Sequence, residues 1–323
     1  MFSDNGIHRI LIVGGAGYIG NSLVNVLSPN YTVYVVDNFS VNTQYKVEIN
    51  SKLLSKGKIN ALLKCDAGVP YEYVKYLEKC DLIVYLASLN SVNESKIKMQ
   101  QYFENNILQS YDFLNALSKN ALFLKKIILT SSRSIYGEMK KGNGSNEKDI
   151  PCPNSVYGVT KLLQERLFFD YCKNSGIHLD IFRIFNVFGE NQEKFYNHIG
   201  VIPKLYESIK NKGAVFLNGS GKIMRDYIYI GDVLKIMKQS ISKNLNENPC
   251  QEIYNLGTGK GFTLLEVATT FKKVLSKNFT INLVKENDDI MYSIAYTDKL
   301  ISTFKYSFPS LLVDEFIMRY YSD

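Results

Sequence analysis

RILIVGGAGYIGNSLVNVL, residues Arg9 to Leu27, reads as a short apolar run, a glycine-rich turn and the opening of a helix. A near-continuous run such as Arg9 to Val13 suits a strand buried on both faces of a parallel sheet. Glycines at 14, 17 and 20 permit a tight turn and let the backbone approach a pyrophosphate, which then lies against the positive end of the helix dipole. A glycine motif alone is weak evidence. Here a second apolar run, YVV, follows and ends in Asp37, seventeen residues past Gly20. A carboxylate at that place accepts hydrogen bonds from both adenosine ribose hydroxyls and repels a 2′-phosphate, so NAD is expected over NADP. Gly14, Gly17, Tyr18, Ile19, Gly20, Asp37 and Asn38 are therefore candidate cofactor contacts. Asp66, with Ala67 beside it after the third strand, is a candidate cap for the adenine amino group, although a plain turn aspartate reads the same way.

The alternation continues outward from this unit. Candidate strands are Arg9 to Val13, Thr32 to Val36, Ala61 to Lys64, Leu82 to Leu86, Lys126 to Ser131 and Leu179 to Ile184. Between them, Tyr18 to Leu27, Gln100 to Leu117 and Val156 to Lys173 repeat apolar residues at three and four, the helical period. Such βαβ stacking predicts a doubly wound parallel sheet. Lys140 to Pro153, rich in Gly, Asn, Lys and Pro, reads as a surface loop. From about residue 190 the alternation becomes irregular, with a helix at Ile202 to Asn211, a strand at Ala214 to Leu217 and helices near Asp232 and Leu264. The expected division is a dinucleotide-binding domain over 1–190 and a smaller lobe over 191–323, some segments of which return to the main sheet.

Composition bounds the function. The 323 residues are 46% hydrophobic and 21% charged, an ordinary globular balance. No stretch reaches the roughly 18 unbroken apolar residues of a membrane span. Asp4 and Asn5 precede a first apolar run of only strand length, so no secretory leader is read and a cytoplasmic protein is expected. Cys65, Cys80, Cys152, Cys172 and Cys250 are scattered without a CxxC pair, which argues against a disulfide framework and against a metal site. The formal charge of +7 comes from lysines spread along the chain with no basic run, so nucleic acid is not an expected partner. A mild positive balance favours a diphosphate-bearing substrate.

Tyr157 and Lys161 stand four apart at the start of a predicted helix and so share one face. A lysine ammonium beside a phenol favours the phenolate, which makes the tyrosine a usable acid and base near neutral pH. The same lysine can bond the nicotinamide ribose. Twenty-five residues upstream of Tyr157, TSSRSIYG (Thr130 to Gly137) closes a strand expected at the centre of the sheet, and the carboxyl edge of such a sheet is where ligands bind. Ser132 would put a hydroxyl beside the substrate oxygen that gains or loses a proton. Ser132, Tyr157 and Lys161 are the candidate catalytic residues.

With these motifs in view, the chain resembles the extended short-chain dehydrogenase/reductase family, and within it the nucleotide-sugar epimerases and dehydratases. The likeness runs through GGAGYIG, VVDN (Val35 to Asn38), YLAS (Tyr85 to Ser88), NNI (Asn105 to Ile107), TSSRSIYG, YGVTK, RIFNVFG (Arg183 to Gly189), MRDYIYIGDV (Met224 to Val233) and NLGTGKG (Asn255 to Gly261). It implies an α/β, Rossmann-type doubly wound parallel sheet with a smaller C-terminal substrate-binding lobe. It also implies that Leu86, Ala87, Ser88 and Asn106 line the cofactor and that Phe185 packs near the nicotinamide. By the same resemblance Asn186, Val201 and Arg225 join Ser132 in holding a nucleotide-diphosphate sugar. A homodimer through the helices at 100–117 and 156–173 is implied as well.

The resemblance implies an NAD-dependent nucleotide-sugar 4-epimerase, which oxidises the C4 hydroxyl to a transient ketone and re-reduces it on the other face. A 4-keto-6-deoxysugar reductase uses the same three residues with hydride flowing one way. A 4,6-dehydratase needs a carboxylate just after the catalytic serine, where this chain has Arg133 and Ser134. A binding protein without turnover would have little use for Ser132, Tyr157 and Lys161 together. One stretch departs from the family. In KENDDIMYSIAYTDK (Lys285 to Lys299) no arginine precedes the expected Gly-Asp, Asp288 replaces that glycine, and Tyr296 stands where a second aspartate is usual. Lys285 is the nearest cation, and a lysine cannot reproduce a bidentate grip.

Overall fold

The computed structural model describes residues 6–40, 43–138, 144–195, 200–245, 248–275, 278–284, 290–306 and 309–322. In chain order the first half contains β1 (Arg9–Val13), α1 (Tyr18–Leu27), β2 (Thr32–Asp37), α2 (Thr43–Ser55), β3 (Ala61–Lys64), α3 (Val74–Leu77), β4 (Leu82–Tyr85), α4 (Val92–Ile97), α5 (Met99–Phe103), α6 (Gln109–Asn120) and β5 (Lys126–Ser132). The second half contains α7 (Val156–Ser175), β6 (His178–Ile184), β7 (Asn186–Phe188), α8 (Val201–Lys212), β8 (Ala214–Asn218), β9 (Met224–Tyr229), α9 (Ile230–Ser242), β10 (Gln251–Leu256), β11 (Gly261–Thr263), α10 (Leu264–Val274), β12 (Thr280–Val284), β13 (Tyr292–Ser293), α11 (Asp298–Phe304) and α12 (Val313–Tyr320). The chain divides into two compact units. One comprises Met1–Ile135, Pro153–Arg183 and Leu234–Tyr254, the other Tyr136–Cys152, Ile184–Val233 and Asn255–Asp323.

The first unit is built on a seven-stranded sheet in the order β10-β6-β5-β4-β1-β2-β3. Strand β1 pairs in parallel with both β2 and β4, so the winding reverses direction between β1 and β4. That reversal opens a crevice at the carboxyl ends of the two strands, the expected ligand site of a Rossmann-type sheet. All residues of β4 and β5, and all of β1 after Arg9, are buried, as their unbroken apolar runs require. Tyr85 of β4 sits between Phe113 of α6 and Phe168 of α7, with ring centroids 4.9 and 4.8 Å away. This aromatic wedge sets both helices against one face of the sheet.

All six strands expected from the alternation are present. The predicted helix over 100–117 is interrupted: a π turn at Glu104–Leu108 separates α5 from α6. Apolar spacing continues across the turn, so periodicity alone reads one helix. Strand β10 extends the main sheet from late in the sequence, which its local pattern does not announce.

In the second unit β7, β11 and β13 pair with β9, while β8 and β12 pair in parallel. Its core gathers Phe188, Ile202, Leu217, Val267, Phe271, Phe316 and Ile317. A Thr263/Glu266 capping box starts α10. Among the described residues no helix is long and apolar enough to cross a membrane.

Candidate active site

The glycine turn leaves β1 with Gly14 at φ +76°, a conformation that favours glycine. The Gly14 N–H donates to the Val36 carbonyl at 2.7 Å, tying the turn to β2. A Cβ on Gly14 would stand 2.5 Å from the Ala87 nitrogen, and one on Gly20 would stand 2.5 Å from the Gly15 carbonyl oxygen. Both positions are closed to any side chain, which sets α1 hard against the turn. Gly17 is the N-cap of α1 in extended backbone and supplies no side-chain cap. A Cβ there would meet nothing closer than 3.7 Å. The helix therefore presents uncapped first-turn N–H groups at an open backbone surface, an arrangement suited to a pyrophosphate.

Asp37 ends β2 with its carboxylate already oriented. Its Oδ2 accepts the Ala16 N–H at 3.0 Å and its Oδ1 accepts the Phe39 N–H at 2.7 Å. Lys46 of α2, itself buried, places its ammonium 3.9 Å from Oδ1. Each carboxylate oxygen has further acceptor capacity, so a ribose diol fits this group. Asp66 accepts from the Asn38 amide at 2.7 Å and from the Gln109 amide at 3.4 Å, which links two of the candidate contacts. Ala67 is buried, and its carbonyl accepts the Tyr73 hydroxyl.

Leu86 continues from β4 with its N–H on the Val13 carbonyl, so 86–88 run beside the glycine turn. The Ser88 hydroxyl donates to the Leu89 carbonyl. Asn106 sits in the π turn and is fully buried. Its amide exchanges hydrogen bonds with the Leu89 backbone, at 2.8 and 3.1 Å, and donates to Thr160 Oγ1 at 3.0 Å. The resemblance implies that Asn106 lines the cofactor; in the structure its side chain also ties the Leu89 backbone to Thr160 of α7.

Ser132 ends β5, and a 3-10 turn at Arg133–Ile135 follows. Helix α7 is started by Ser155, whose hydroxyl accepts the Gly158 N–H at 3.1 Å, and Tyr157 and Lys161 occupy its first two turns. The Ser132 hydroxyl donates to Ser134 Oγ at 3.2 Å and accepts the Ser134 N–H at 3.2 Å. The Tyr157 N–H donates to the buried Ser95 hydroxyl at 3.2 Å, and the Tyr102 ring meets the Tyr157 ring edge-on at 6.4 Å. Burial raises the Tyr157 phenol above its ordinary value, against the downward pull of the Ser132 side chain and the positive charge of Arg133. Lys161 donates to the Thr130 carbonyl at 2.6 Å and to Gln164 Oε1 at 2.5 Å. Burial lowers it to about 7, with the Glu165 carboxylate acting in the opposite sense. The sequence reading credits the Lys161 ammonium with lowering the phenol. In the structure that ammonium donates to the Thr130 carbonyl and to Gln164 Oε1, one turn along α7 from the phenol.

The remaining candidates lie in the second unit. Phe185 is buried and its N–H donates to the Leu256 carbonyl. The Asn186 amide donates to the Asp226 carbonyl at 2.8 Å. Val201 opens α8 and is partly exposed. The buried Arg225 directs one guanidinium nitrogen to the carbonyls of Ile290, at 2.6 Å, and Met224, at 3.0 Å. Beside it the Asp226 carboxylate receives the N–H groups of Thr258, Gly259 and Ala295 and the Thr258 hydroxyl. In the departing stretch Tyr296 is exposed and donates to Asp298, while Lys285 and Asp288 lie outside the described residues.

The model of the NAD dependent epimerase/dehydratase family matches residues 10–257. The chain belongs to that family. Family likeness extends to individual proteins. A probable UDP-arabinose 4-epimerase of Arabidopsis thaliana is 26% identical over 318 residues, covering 92% of this chain and 75% of that protein. The UDP-glucuronic acid 4-epimerase of Bacillus cereus, solved with UDP-glucuronic acid and NAD, superposes with a TM-score of 0.84 at 27% identity, covering 96% of this chain and 98% of that one. The UDP-glucose 4-epimerase of Thermotoga maritima, solved with UDP-glucose, gives 0.83 at 26%, with 96% of each chain covered.

Four groups that surround this site escaped the reading of the sequence as a family member: Lys46, Ser95, Tyr102 and Gln164. Gln164 carries a usable signal, since it lies three residues past Lys161 and so shares its helix face. Ser95, Tyr102 and Lys46 approach through tertiary packing, and nothing local marks them.

Proposed function

We propose that this protein is an NAD-dependent nucleotide-sugar 4-epimerase acting on a UDP-sugar. The observation that carries the reading is the placement of Tyr157 and Lys161 on the first two turns of one helix, packed against the turn that follows Ser132, whose side chain pulls the Tyr157 phenol down. Tyr157 takes the proton from the sugar C4 hydroxyl and later returns it to the C4 oxygen, when hydride has been added to the opposite face of the ketone carbon. Ser132 holds the reacting oxygen and shares the proton. Lys161 bonds the nicotinamide ribose. When bound, NAD would supply the hydride acceptor and donor for C4, with no net consumption. Asp37 grips the adenosine ribose, and the first turn of α1 receives the pyrophosphate. Asn186, Val201 and Arg225 are assigned to the nucleotide sugar, and Phe185 to the nicotinamide.

Elimination of water lacks a carboxylate beside Ser132, where Arg133 and Ser134 stand. The relatives and structural neighbours described above are named as 4-epimerases, which favours return of the hydride over net reduction. We further propose a cytoplasmic homodimer. Apolar side chains exposed at four-residue spacing support a paired surface: Met99 and Phe103 on α5, Val159 and Leu163 on α7, with Leu108 and Tyr111 nearby.

The test is incubation of the purified protein with UDP-glucose, UDP-arabinose and UDP-glucuronic acid, with NMR detection of the C4 epimer. Epimer should form with no net change in nicotinamide absorbance, and Tyr157→Phe should lower kcat by roughly 10²- to 10⁴-fold while NAD stays bound. Stoichiometric consumption of NADH, or full activity in the Phe variant, rejects the proposal.

A further inference from the structure

We propose that Gln164 is a positioning residue for the reaction, its side-chain carbonyl holding the Lys161 ammonium on the face that meets the cofactor; the inference rests on the epimerase reading. Gln164 and Lys161 are both buried. The orientation of the Gln164 amide is set by its donors, since Nε2 bonds the Asn106 carbonyl at 3.2 Å and Ser110 Oγ at 2.8 Å. Ser110 also donates to the Asn106 carbonyl and meets the Tyr85 hydroxyl at 3.2 Å. With both donors engaged, Oε1 can only face Lys161, where it accepts at 2.5 Å. Among the described residues Thr130 and Gln164 supply the two acceptors of Lys161, which leaves one of its three N–H bonds for a ligand. The direction of that last N–H is thus fixed by a chain of hydrogen bonds reaching back to Tyr85 in the sheet.

The same contact acts on charge. A carbonyl oxygen at this distance favours the ammonium, whereas burial opposes it and leaves Lys161 at about 7. On α7 the charged and titratable neighbours are Glu165, which favours the ammonium while paired with Arg183 of β6 at 2.8 Å, and Tyr157. Strand β4 contributes the Tyr85 phenol, which meets Ser110, and the turn after β5 contributes Arg133, whose charge acts on the Tyr157 phenol. The π turn and α6 contribute the neutral Asn106 and Ser110. A glutamine that only filled space would leave the titration of Lys161 unmoved on replacement.

The experiment is a ¹³C NMR titration of the lysine side chains in the protein free of nucleotide, with Lys161 assigned through Lys161→Arg, in wild type, Gln164→Met and Gln164→Glu. Relative to wild type, the Met variant should titrate about one pH unit lower and the Glu variant about one unit higher. The alkaline limb of kcat/KM should move the same way in each. Either folded variant titrating with the wild type overturns the proposal, and if the Met variant does not fold the Glu variant alone decides. A wild type that turns over no UDP-sugar rejects the proposed function but leaves the NMR result standing.

Discussion

Gly158 and Ser134 approach so closely that a Cβ on Gly158 would stand 2.5 Å from the Ser134 carbonyl oxygen and 2.9 Å from Pro153 Cβ. The first turn of α7, which carries Tyr157, therefore lies directly on the turn that follows Ser132. In most helices Gly→Ala stabilises by about 0.5–1 kcal/mol. Here Gly158→Ala should instead destabilise by about 1–3 kcal/mol, because a backbone carbonyl must move. Misplacing Tyr157 should also lower kcat by roughly 10²-fold. Thermal melts and turnover of one preparation check both effects.

Asp37 joins the glycine turn, through the Ala16 N–H, to the segment after β2, through the Phe39 N–H. Asp37→Ala removes the ribose acceptor and leaves two N–H groups and the Lys46 ammonium without their carboxylate. NAD affinity should fall about 10- to 100-fold by calorimetry. The preference for NAD over NADP should narrow, since Lys46 remains and the repelling charge is gone.

Asp81 gives a stability prediction with a definite sign. Its burial raises the carboxyl, but the Arg9 guanidinium at 2.9 Å and the backbone N–H groups of His8 and Arg9 outweigh this and hold it below its ordinary value. At acid pH the unfolded chain then binds more protons than the folded one, so stability rises with pH through that window. The contribution is fully present above the ordinary carboxylate value and is lost as pH falls through the folded one. Asp81→Asn should therefore be less stable than wild type at pH 6, and the gap should shrink below about pH 4 in urea denaturation.

Leu163 is 41% exposed and Tyr111 57% exposed on adjoining helices of the first unit. If this apolar surface pairs with a second copy, Leu163→Glu should yield a monomer in sedimentation velocity with the fold intact by circular dichroism. A wild type that sediments as a monomer at micromolar concentration removes the dimer from the proposal.

The main strands and helix α7 were legible because their signals are local. An unbroken apolar run implies a strand buried on both faces, and four-residue spacing puts Tyr157 and Lys161 on one side of a helix. The π turn within 104–108 was not legible, since the apolar spacing persists across it. A late return to the main sheet was expected, but not which segment makes it, because the place of β10 beside β6 is settled by pairing across more than sixty intervening residues.

The sequence by itself determined the glycine turn, its distance to Asp37, and the order of Ser132, Tyr157 and Lys161, all of which follow from short-range backbone geometry and residue type. Only the tertiary structure decided what each polar atom faces. Lys161 turns to Thr130 and Gln164, Asn106 ties the Leu89 backbone to Thr160, and Lys46 attends Asp37. The reason is physical: a buried donor or acceptor must find its partner among whatever groups packing brings within about 3 Å, and most of those belong to distant parts of the chain.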